Sequence, residues 1–304
     1  MRIVFVILLL VLAAALWWLY TPDADRAALE ARWAPPPSQF VEVAGIRLHL
    51  RDTGPRAAPA IILLHGFGSS LHAWEGWAPA MEAGHRMIRF DLPGFGLTGA
   101  DPTGDYSDAR AHAIITALMD RLGIGRATLL GSSMGGRIAW SFAAAHPERT
   151  DRLVLLAPDG FASPGADYDR PPSVPLLLRA LPYTLPDVML RPSISPAYAH
   201  PERIPEETFQ RYRAMMLAPG VRAAIVDRTA THVLRRPGPL LARITAPTLL
   251  LWGQEDRMIP AANARDYLRE IPDARLVLLP GTGHVPMEEA PADSVAVVLE
   301  FLRD

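Results

Sequence analysis

A serine lies in a glycine-rich stretch where a buried strand is predicted to pass into a helix. Residues 131–136 read GSSMGG and directly follow the apolar run 127–130. In a G-x-S-x-G pattern at such a junction, the turn is so tight that its flanking positions need residues without bulk. The helix that begins there also directs its N–H groups and positive dipole end toward the reacting oxygen. The pattern predicts Ser133 as a nucleophile, with Ser132 supporting the turn; an ordinary strand–helix turn is the alternative interpretation.

A serine hydroxyl needs a base to take its proton, and the chain has nine histidines. His284 lies in the glycine-rich loop 280–286, between the last predicted strand and the last predicted helix. Loops at the carboxyl ends of parallel strands are where open α/β sheets bind ligands. A solvated or helix-capping histidine is the alternative there, but a serine nucleophile favours His284 as its base. Four other histidines fall at predicted helix or cap positions: His112, His146, His200 and His232.

A carboxylate is needed to orient such a base and to stabilise its imidazolium form. Asp256 follows the preceding predicted strand, three residues after Gly253, and Glu255 is its neighbouring rival. We favour Asp256 because residues 257–260 lead from it into the next helix. The resulting chain order of serine, aspartate and histidine is the one that nucleophile-elbow enzymes require.

Backbone N–H groups are predicted to stabilise the negative charge that develops during attack on a carbonyl. Residues 64–68 read LHGFG after the third predicted strand, where a bare backbone can approach a substrate oxygen. The N–H groups of Phe67 and Met134 are the predicted oxyanion-hole donors, and removing one such donor typically costs about 2.7–4 kcal/mol of transition-state stabilisation. His65 is expected to hold this loop rather than to take part in the chemistry.

The predicted catalytic side chains all follow strands of a predicted parallel sheet. Fully apolar runs typical of strands covered on both faces occur at 60–64, 87–90, 127–130, 153–156, 248–252 and 275–279. Helical patterns separate them at 107–122, 134–145, 261–271 and 292–302. Ahead of them, alternation at 40–43 and 46–51 predicts an antiparallel hairpin. The expected fold is α/β, with a mostly parallel eight-stranded sheet and helices on both faces.

One long stretch interrupts the alternation of strands and helices. Residues 159–240 contain thirteen prolines and short amphipathic pieces, such as 205–217 and 222–234, but no strand pattern. The stretch is too long for a loop. We expect a helical cap at 159–240 over a core formed by 39–158 and 241–304, with 1–38 as a separate N-terminal segment.

Composition excludes several kinds of chemistry. The chain has 304 residues, a net charge of −2, no cysteine and no lysine. A disulfide, a thiolate nucleophile or metal site, a Schiff-base lysine and a phosphate-loop lysine are therefore excluded. No basic stripe suggests a nucleic-acid partner. The predicted reaction requires no cofactor or metal, and the sequence carries no signal of oligomeric state.

The N-terminal segment carries an uncharged apolar run at 3–20 that ends in the aromatic-rich LWWLY. A helix of that length rises about 27 Å, close to a hydrocarbon core of roughly 30 Å, and aromatic residues suit its interface. We therefore expect a membrane anchor followed by a stalk to residue 38. Arg2 before the run, and Asp23 and Asp25 after it, predict an extracytoplasmic enzyme, periplasmic in a Gram-negative host. A signal peptide cleaved near residues 13–15 and a buried core helix are the alternatives.

Together these elements resemble the α/β-hydrolase family over residues 40–304. Residues 89–98, RFDLPGFGLT, are similar to that family's loop after the fourth strand, with Thr98 where serine is common. The stretch 159–240 lies in the place of the family's cap. The resemblance implies a capped esterase, lipase or meta-cleavage C–C bond hydrolase. Capped dehalogenases and epoxide hydrolases share the layout but use an aspartate nucleophile, where this chain has Ser133.

The leading hypothesis from the sequence is hydrolysis of an ester with an apolar acyl group through an acyl-enzyme. Met189, Met215 and Met216 in the predicted cap are able to form an apolar pocket, although such residues are more often plain core. A C–C bond hydrolase acting on a vinylogous diketone would use the same three side chains. A non-catalytic, membrane-tethered binding protein is the third possibility, disfavoured because all three residue types are present.

Overall fold

A single eight-stranded sheet lies at the centre of the computed structural model, which describes residues 2–162, 167–170 and 173–303. The strands are β1 (Gln39–Val43), β2 (Ile46–Thr53), β3 (Ala60–Leu64), β4 (Arg86–Phe90), β5 (Ala127–Ser132), β6 (Thr150–Leu156), β7 (Thr248–Gly253) and β8 (Ala274–Leu279). Their order across the sheet is β1-β2-β4-β3-β5-β6-β7-β8. β1 and β2 form the predicted hairpin, β2 pairs antiparallel with β4, and every later pairing is parallel. The predicted fold class is confirmed.

Helices flank the sheet and make up the insertion between β6 and β7. Within the described residues they are α1 (Arg2–Leu19), α2 (Arg26–Trp33), α3 (Ala78–Met81), α4 (Asp108–Arg121), α5 (Met134–Ala145), α6 (Leu176–Arg179), α7 (Asp187–Ile194), α8 (Glu206–Met216), α9 (Val221–Thr231), α10 (Gly238–Leu241), α11 (Ala264–Glu270), α12 (Pro286–Glu289) and α13 (Pro291–Arg303). Short 3₁₀ helices lie at Leu71–Trp74, Pro147–Arg149, Ser195–Ala197, Pro201–Arg203 and Ala261–Asn263.

The central strands are apolar throughout because both of their faces are buried. Along β3, Ile62 and Leu64 belong to the apolar cluster on one face of the sheet. Ile61 and Leu63 belong to the cluster on the other face, and all four side chains are fully buried. Successive side chains of a strand point to opposite faces, so a strand between two helical layers needs apolar residues at every position.

The predicted helical insertion at 159–240 contains α6 to α9 and the start of α10, and the described part of it contains no strand. Residues 163–166 and 171–172 of this range lie outside the described residues. Contacts between the insertion and the core include the backbone N–H of His284, which donates to Ala197 O at 2.7 Å. The division into 1–38, 39–158 with 241–304, and 159–240 stays a prediction.

The segment between α1 and the sheet packs against the rest of the chain. Leu29 and Trp33 of α2 are buried in the main apolar cluster. Asp23 accepts hydrogen bonds from the Arg222 guanidinium at 2.7 Å and from Gly220 N–H at 3.0 Å. These contacts hold the region predicted as a stalk on the insertion and on the core.

The predicted membrane anchor over 3–20 is wrong. The run forms α1, which has 18 residues. No helix in the described part of the chain combines the length and the apolarity needed to cross a bilayer. The extracytoplasmic location and the membrane partner were inferred from that anchor and are withdrawn with it.

We expect Leu63→Ala in β3 to lower the free energy of unfolding by about 2–5 kcal/mol, because it leaves a cavity between fully buried side chains. The matched control is Leu176→Ala in α6, whose side chain is 83% exposed and should change stability by less than about 0.5 kcal/mol. Urea unfolding of both variants measures the difference, and equal effects would contradict the two-layer core.

Candidate active site

Ser133 occupies a strained position between β5 and α5. Its backbone has φ 54° and ψ −119°, a conformation that residues other than glycine rarely adopt. The Ser133 N–H donates to Leu156 O at 2.9 Å, and its carbonyl accepts from Asp159 N–H at 3.0 Å. These bonds to the end of β6 hold the strained turn and leave the half-buried serine side chain at the carboxyl end of the sheet.

The glycines around Ser133 are required by close packing. A Cβ added to Gly131 would lie 2.3 Å from Gly135 O, and one added to Gly135 would lie 2.2 Å from Leu64 O. A Cβ on Gly136 would meet the Cβ of Pro158 at 2.8 Å. The spacing of the sequence pattern therefore reflects three separate contacts, two of them with backbone atoms that cannot move aside.

His284 and Asp256 are brought together behind the carboxyl ends of β7 and β8. Nδ1 of His284 lies 2.7 Å from Oδ2 of Asp256, and both side chains are buried. The other oxygen of Asp256 accepts from the N–H groups of Met258 and Ile259, at 2.8 and 2.9 Å. Three acceptor interactions fix the carboxylate, so His284 Nδ1 is held as the donor and Nε2 is left as the basic nitrogen. In the described part of the chain, Nε2 has no hydrogen-bond partner.

The rival candidates have other partners. Glu255 is exposed and accepts from Thr282 N–H at 3.1 Å, so it braces the histidine loop from outside. His65 is buried. Its Nδ1 lies 2.8 Å from Gly66 O, and its Nε2 accepts a hydrogen bond from Leu92 N–H at 2.9 Å. Burial lowers the pKa of His65, which keeps the ring neutral for these two bonds. His65 thus joins the loops after β3 and β4.

The two predicted oxyanion-hole donors lie in neighbouring loops. Met134 is the first residue of α5, where an N–H group has no acceptor within the helix. Phe67 is 50% exposed, and its ring packs edge-on against Phe95 at 5.4 Å between centroids. Gly66 lies beside Ser133: a Cβ added to Gly66 would lie 3.3 Å from the Cβ of Ser133. The loop carrying Phe67 therefore passes directly over the serine turn.

Two glutamates that sequence reasoning missed connect the histidine loop to the insertion. Glu289 accepts from Gly283 N–H at 2.7 Å and from Ala199 and His200 N–H groups at 3.1 and 3.0 Å. Glu288 is half-buried and accepts from Tyr198 OH, Arg211 and Tyr212 OH, at 2.7, 2.7 and 3.1 Å. Adjacent carboxylates in an otherwise apolar stretch just after His284 were the available signal. Three of their partners, Arg211, Ala199 and Tyr198, lie 77 to 90 residues away in the chain. No local sequence pattern reveals contacts at such separations.

Arg228 places a buried cation beside the nucleophile turn. Its guanidinium donates to Pro93 O at 3.1 Å and lies 3.4 Å from the sulfur of Met134. Burial, with Arg137 nearby, lowers the pKa of Arg228 to about 10, so the group is still charged at neutral pH. No described carboxylate forms an ion pair with it, and no described cluster of three or more His, Asp or Glu could hold a metal ion.

A family model for the alpha/beta hydrolase fold matches residues 59–291, which include every residue discussed above for the site. The chain belongs to the α/β-hydrolase family. A 2-hydroxy-6-oxononadienedioate/2-hydroxy-6-oxononatrienedioate hydrolase of Burkholderia vietnamiensis is 32% identical over 270 residues, 85% of this chain and 91% of the relative.

Two solved structures of this α/β-hydrolase fold illustrate its range. A meta-cleavage product hydrolase from Pseudomonas fluorescens IP01 is 25% identical, with a TM-score of 0.74 over 87% of this chain and 97% of that one. A thermophilic esterase from Thermogutta terrifontis is 26% identical, with a TM-score of 0.70 over 87% of this chain and 98% of that one. Family and relatives together support a hydrolase.

We expect Gly131→Ala to destabilise this α/β-hydrolase by about 1–3 kcal/mol, because the added methyl overlaps the backbone of Gly135. The control is Gly125→Ala, where an added Cβ meets nothing within 4 Å and the change should be neutral or slightly stabilising. Thermal unfolding of both variants tests the expectation. A Gly131→Ala protein as stable as the control would show that the turn can relax.

Proposed function

We propose that this protein is a serine hydrolase that cleaves a bond to a carbonyl carbon, with Ser133 as nucleophile, His284 as base and Asp256 as the orienting acid. The proposal rests on two side chains, Ser133 and His284, that are each held in place at the carboxyl edge of the sheet. Ser133 is held in a strained turn at the start of α5, and His284 is fixed by Asp256 with Nε2 unpaired among the described residues. Strain of this kind is concentrated at functional sites.

In the proposed reaction, Ser133 Oγ attacks the carbonyl carbon while His284 Nε2 accepts the hydroxyl proton. The Asp256 carboxylate stabilises the imidazolium that results without taking its proton. The N–H groups of Phe67 and Met134 would donate to the oxyanion of the tetrahedral intermediate. Collapse of the intermediate transfers the proton to the leaving group, and a water molecule activated by His284 then releases the acid from Ser133.

For the bond that is cleaved, we propose a carbon–carbon bond in a vinylogous diketone. The relative from Burkholderia vietnamiensis is named for 2-hydroxy-6-oxo dienedioate substrates, and two further relatives are named 2-hydroxy-6-oxo-6-phenylhexa-2,4-dienoate hydrolase. Ketonisation of such a dienol gives a vinylogous 1,5-diketone, and attack on the 6-oxo carbon then expels a stabilised enol. Arg228, a buried cation without a described carboxylate partner, supports a substrate that carries a carboxylate.

Hydrolysis of an apolar ester is the second candidate. It needs the same proposed nucleophile, base and donors, and the esterase from Thermogutta terrifontis supports it at 26% identity. Met215 is buried in the main apolar cluster, and Met216 packs against it. Met189 is 39% exposed, Met216 is half-buried and Met215 is buried, so Met189 is the most exposed of the three predicted pocket methionines.

Purified full-length protein should hydrolyse 2-hydroxy-6-oxo-6-phenylhexa-2,4-dienoate with a higher kcat/KM than any p-nitrophenyl ester from acetate to palmitate. Loss of the dienoate chromophore and release of p-nitrophenol measure the two reactions. Turnover of esters alone would replace the carbon–carbon proposal with the ester reaction, and turnover of neither by folded protein would contradict both.

We expect Ser133→Ala to abolish turnover of whichever substrate is accepted and to leave the folded state intact. Ser132→Ala is the matched control: it removes the adjacent buried hydroxyl and should retain most of the activity. Asp256→Asn should lower kcat by roughly 10⁴-fold, as expected when the orienting carboxylate of such a triad is lost. Substantial activity in the Ser133→Ala protein would refute the assignment.

A further inference from the structure

A second serine, histidine and aspartate are connected at the hairpin end of the sheet, away from the proposed nucleophile. Nδ1 of His49, in β2, lies 2.7 Å from Oδ2 of Asp91, which directly follows β4. Nε2 of the same ring lies 2.9 Å from Oγ of Ser38, one residue before β1. One ring nitrogen of His49 thus contacts a carboxylate and the other contacts a serine hydroxyl. The histidine of a catalytic triad is placed in the same way between its orienting acid and its serine nucleophile.

The carboxylate of this array is held in its ionised form. Asp91 Oδ1 accepts from Leu71 N–H and Oδ2 accepts from Leu97 N–H, each at 2.7 Å. Burial alone would raise the pKa of Asp91, but the adjacent His49 outweighs it, and the pKa lies well below its usual range. An ionised carboxylate only accepts hydrogen bonds, so Nδ1 of His49 is the donor to it. In the neutral ring, Nε2 then carries the lone pair that faces Ser38.

An arginine also binds the oxygen of Ser38. Nε–H of Arg51 donates to Ser38 Oγ at 2.9 Å, and the same guanidinium is paired with Glu75. Because an arginine N–H only donates, Ser38 Oγ is the acceptor in that bond. When His49 is neutral and protonated at Nδ1, the Ser38 hydroxyl donates to His49 Nε2. The arginine also places positive charge beside the serine oxygen.

The array is rigid, and its serine is partly accessible. The Phe40 ring stacks on His49 at 5.0 Å between centroids, and the His72 ring lies 5.9 Å away on the same imidazole. His49 is completely buried, whereas Ser38 is half-buried between exposed residues. None of its three members hydrogen-bonds to a predicted catalytic side chain within the described residues.

We propose that Ser38 is a second activated serine, which reacts covalently with acyl and phosphonyl donors that carry a good leaving group. Oγ of Ser38 forms a bond to the electrophilic carbon or phosphorus as its proton passes to His49 Nε2. The bond to the leaving group breaks with its electron pair, and the departing aryl oxide or fluoride takes the proton from His49. The product is an ester of Ser38 with no net change in oxidation state.

The test uses the full chain carrying Ser133→Ala, so that the proposed nucleophile cannot react. The protein is treated with a fluorophosphonate, and the modified peptides are mapped by mass spectrometry over time. Ser107 is the internal control, because it is exposed and its hydroxyl accepts from Arg110 N–H at 3.2 Å, with no histidine of the described ranges bonded to it. A positioned general base typically accelerates such a reaction by roughly 10²–10⁴-fold. We therefore expect Ser38 to be labelled at least about 100-fold faster than Ser107.

A second variant, Ser133→Ala with Ser38→Ala, should lose this rapid labelling while keeping its unfolding temperature. Labelling of Ser38 no faster than that of Ser107, or rapid labelling that persists in the double variant, would overturn the proposal. Labelling of Ser133 in the unmodified chain is scored separately, so failure of the proposed function and failure of this inference give different peptide maps.

Discussion

The close approach of the turn between β5 and α5 to the end of β3 is the constraint on which the proposed site depends. Gly135 packs so tightly there that a Cβ would lie 2.2 Å from Leu64 O. Leu64 is three residues before Phe67, and Gly135 is two residues after Ser133. The backbone contact therefore sets the distance between the proposed nucleophile and one of its proposed oxyanion donors. Any larger residue at position 135 would separate the two loops.

The strain at Ser133 is tolerated because the central strands around it cannot shift. A left-handed conformation of this kind costs on the order of 1–3 kcal/mol and persists only where neighbouring structure determines it. Here the Ser133 amide is bonded to Leu156, and β5 is paired on both sides, with β3 and β6. Burial of the apolar side chains on both faces of these strands stabilises the sheet. The energy that holds the serine in position thus comes from the core, at a distance from any substrate.

Most of the sheet and the proposed catalytic side chains were predictable because their signals are local. A fully buried strand is apolar at consecutive positions, and a loop after such a strand lies at the ligand-binding edge, which located Ser133, Asp256 and His284. The bonds of Glu288 and Glu289 to the insertion, and of His49 to Asp91, were not predictable. They join residues 42 to 90 positions apart. The bond of His49 also depends on a sheet order that places β4 beside β2. The anchor prediction failed even though the apolar run is helical, because no described helix is long and apolar enough to cross a bilayer.

The two serine–histidine–aspartate arrays use one electrostatic arrangement in different surroundings. Asp256 and Asp91 are both buried, and each accepts two backbone N–H groups and lies 2.7 Å from Nδ1 of a histidine. Ser133 precedes a helix whose first N–H groups are unpaired within it, whereas Ser38 precedes a strand and has the Arg51 guanidinium beside it. Stabilising a tetrahedral oxyanion depends on donors aimed at the oxygen on the substrate, and Arg51 is aimed at the serine itself. An adduct formed on Ser38 would therefore be released slowly, and the arrangement favours a single covalent event there over continuous turnover.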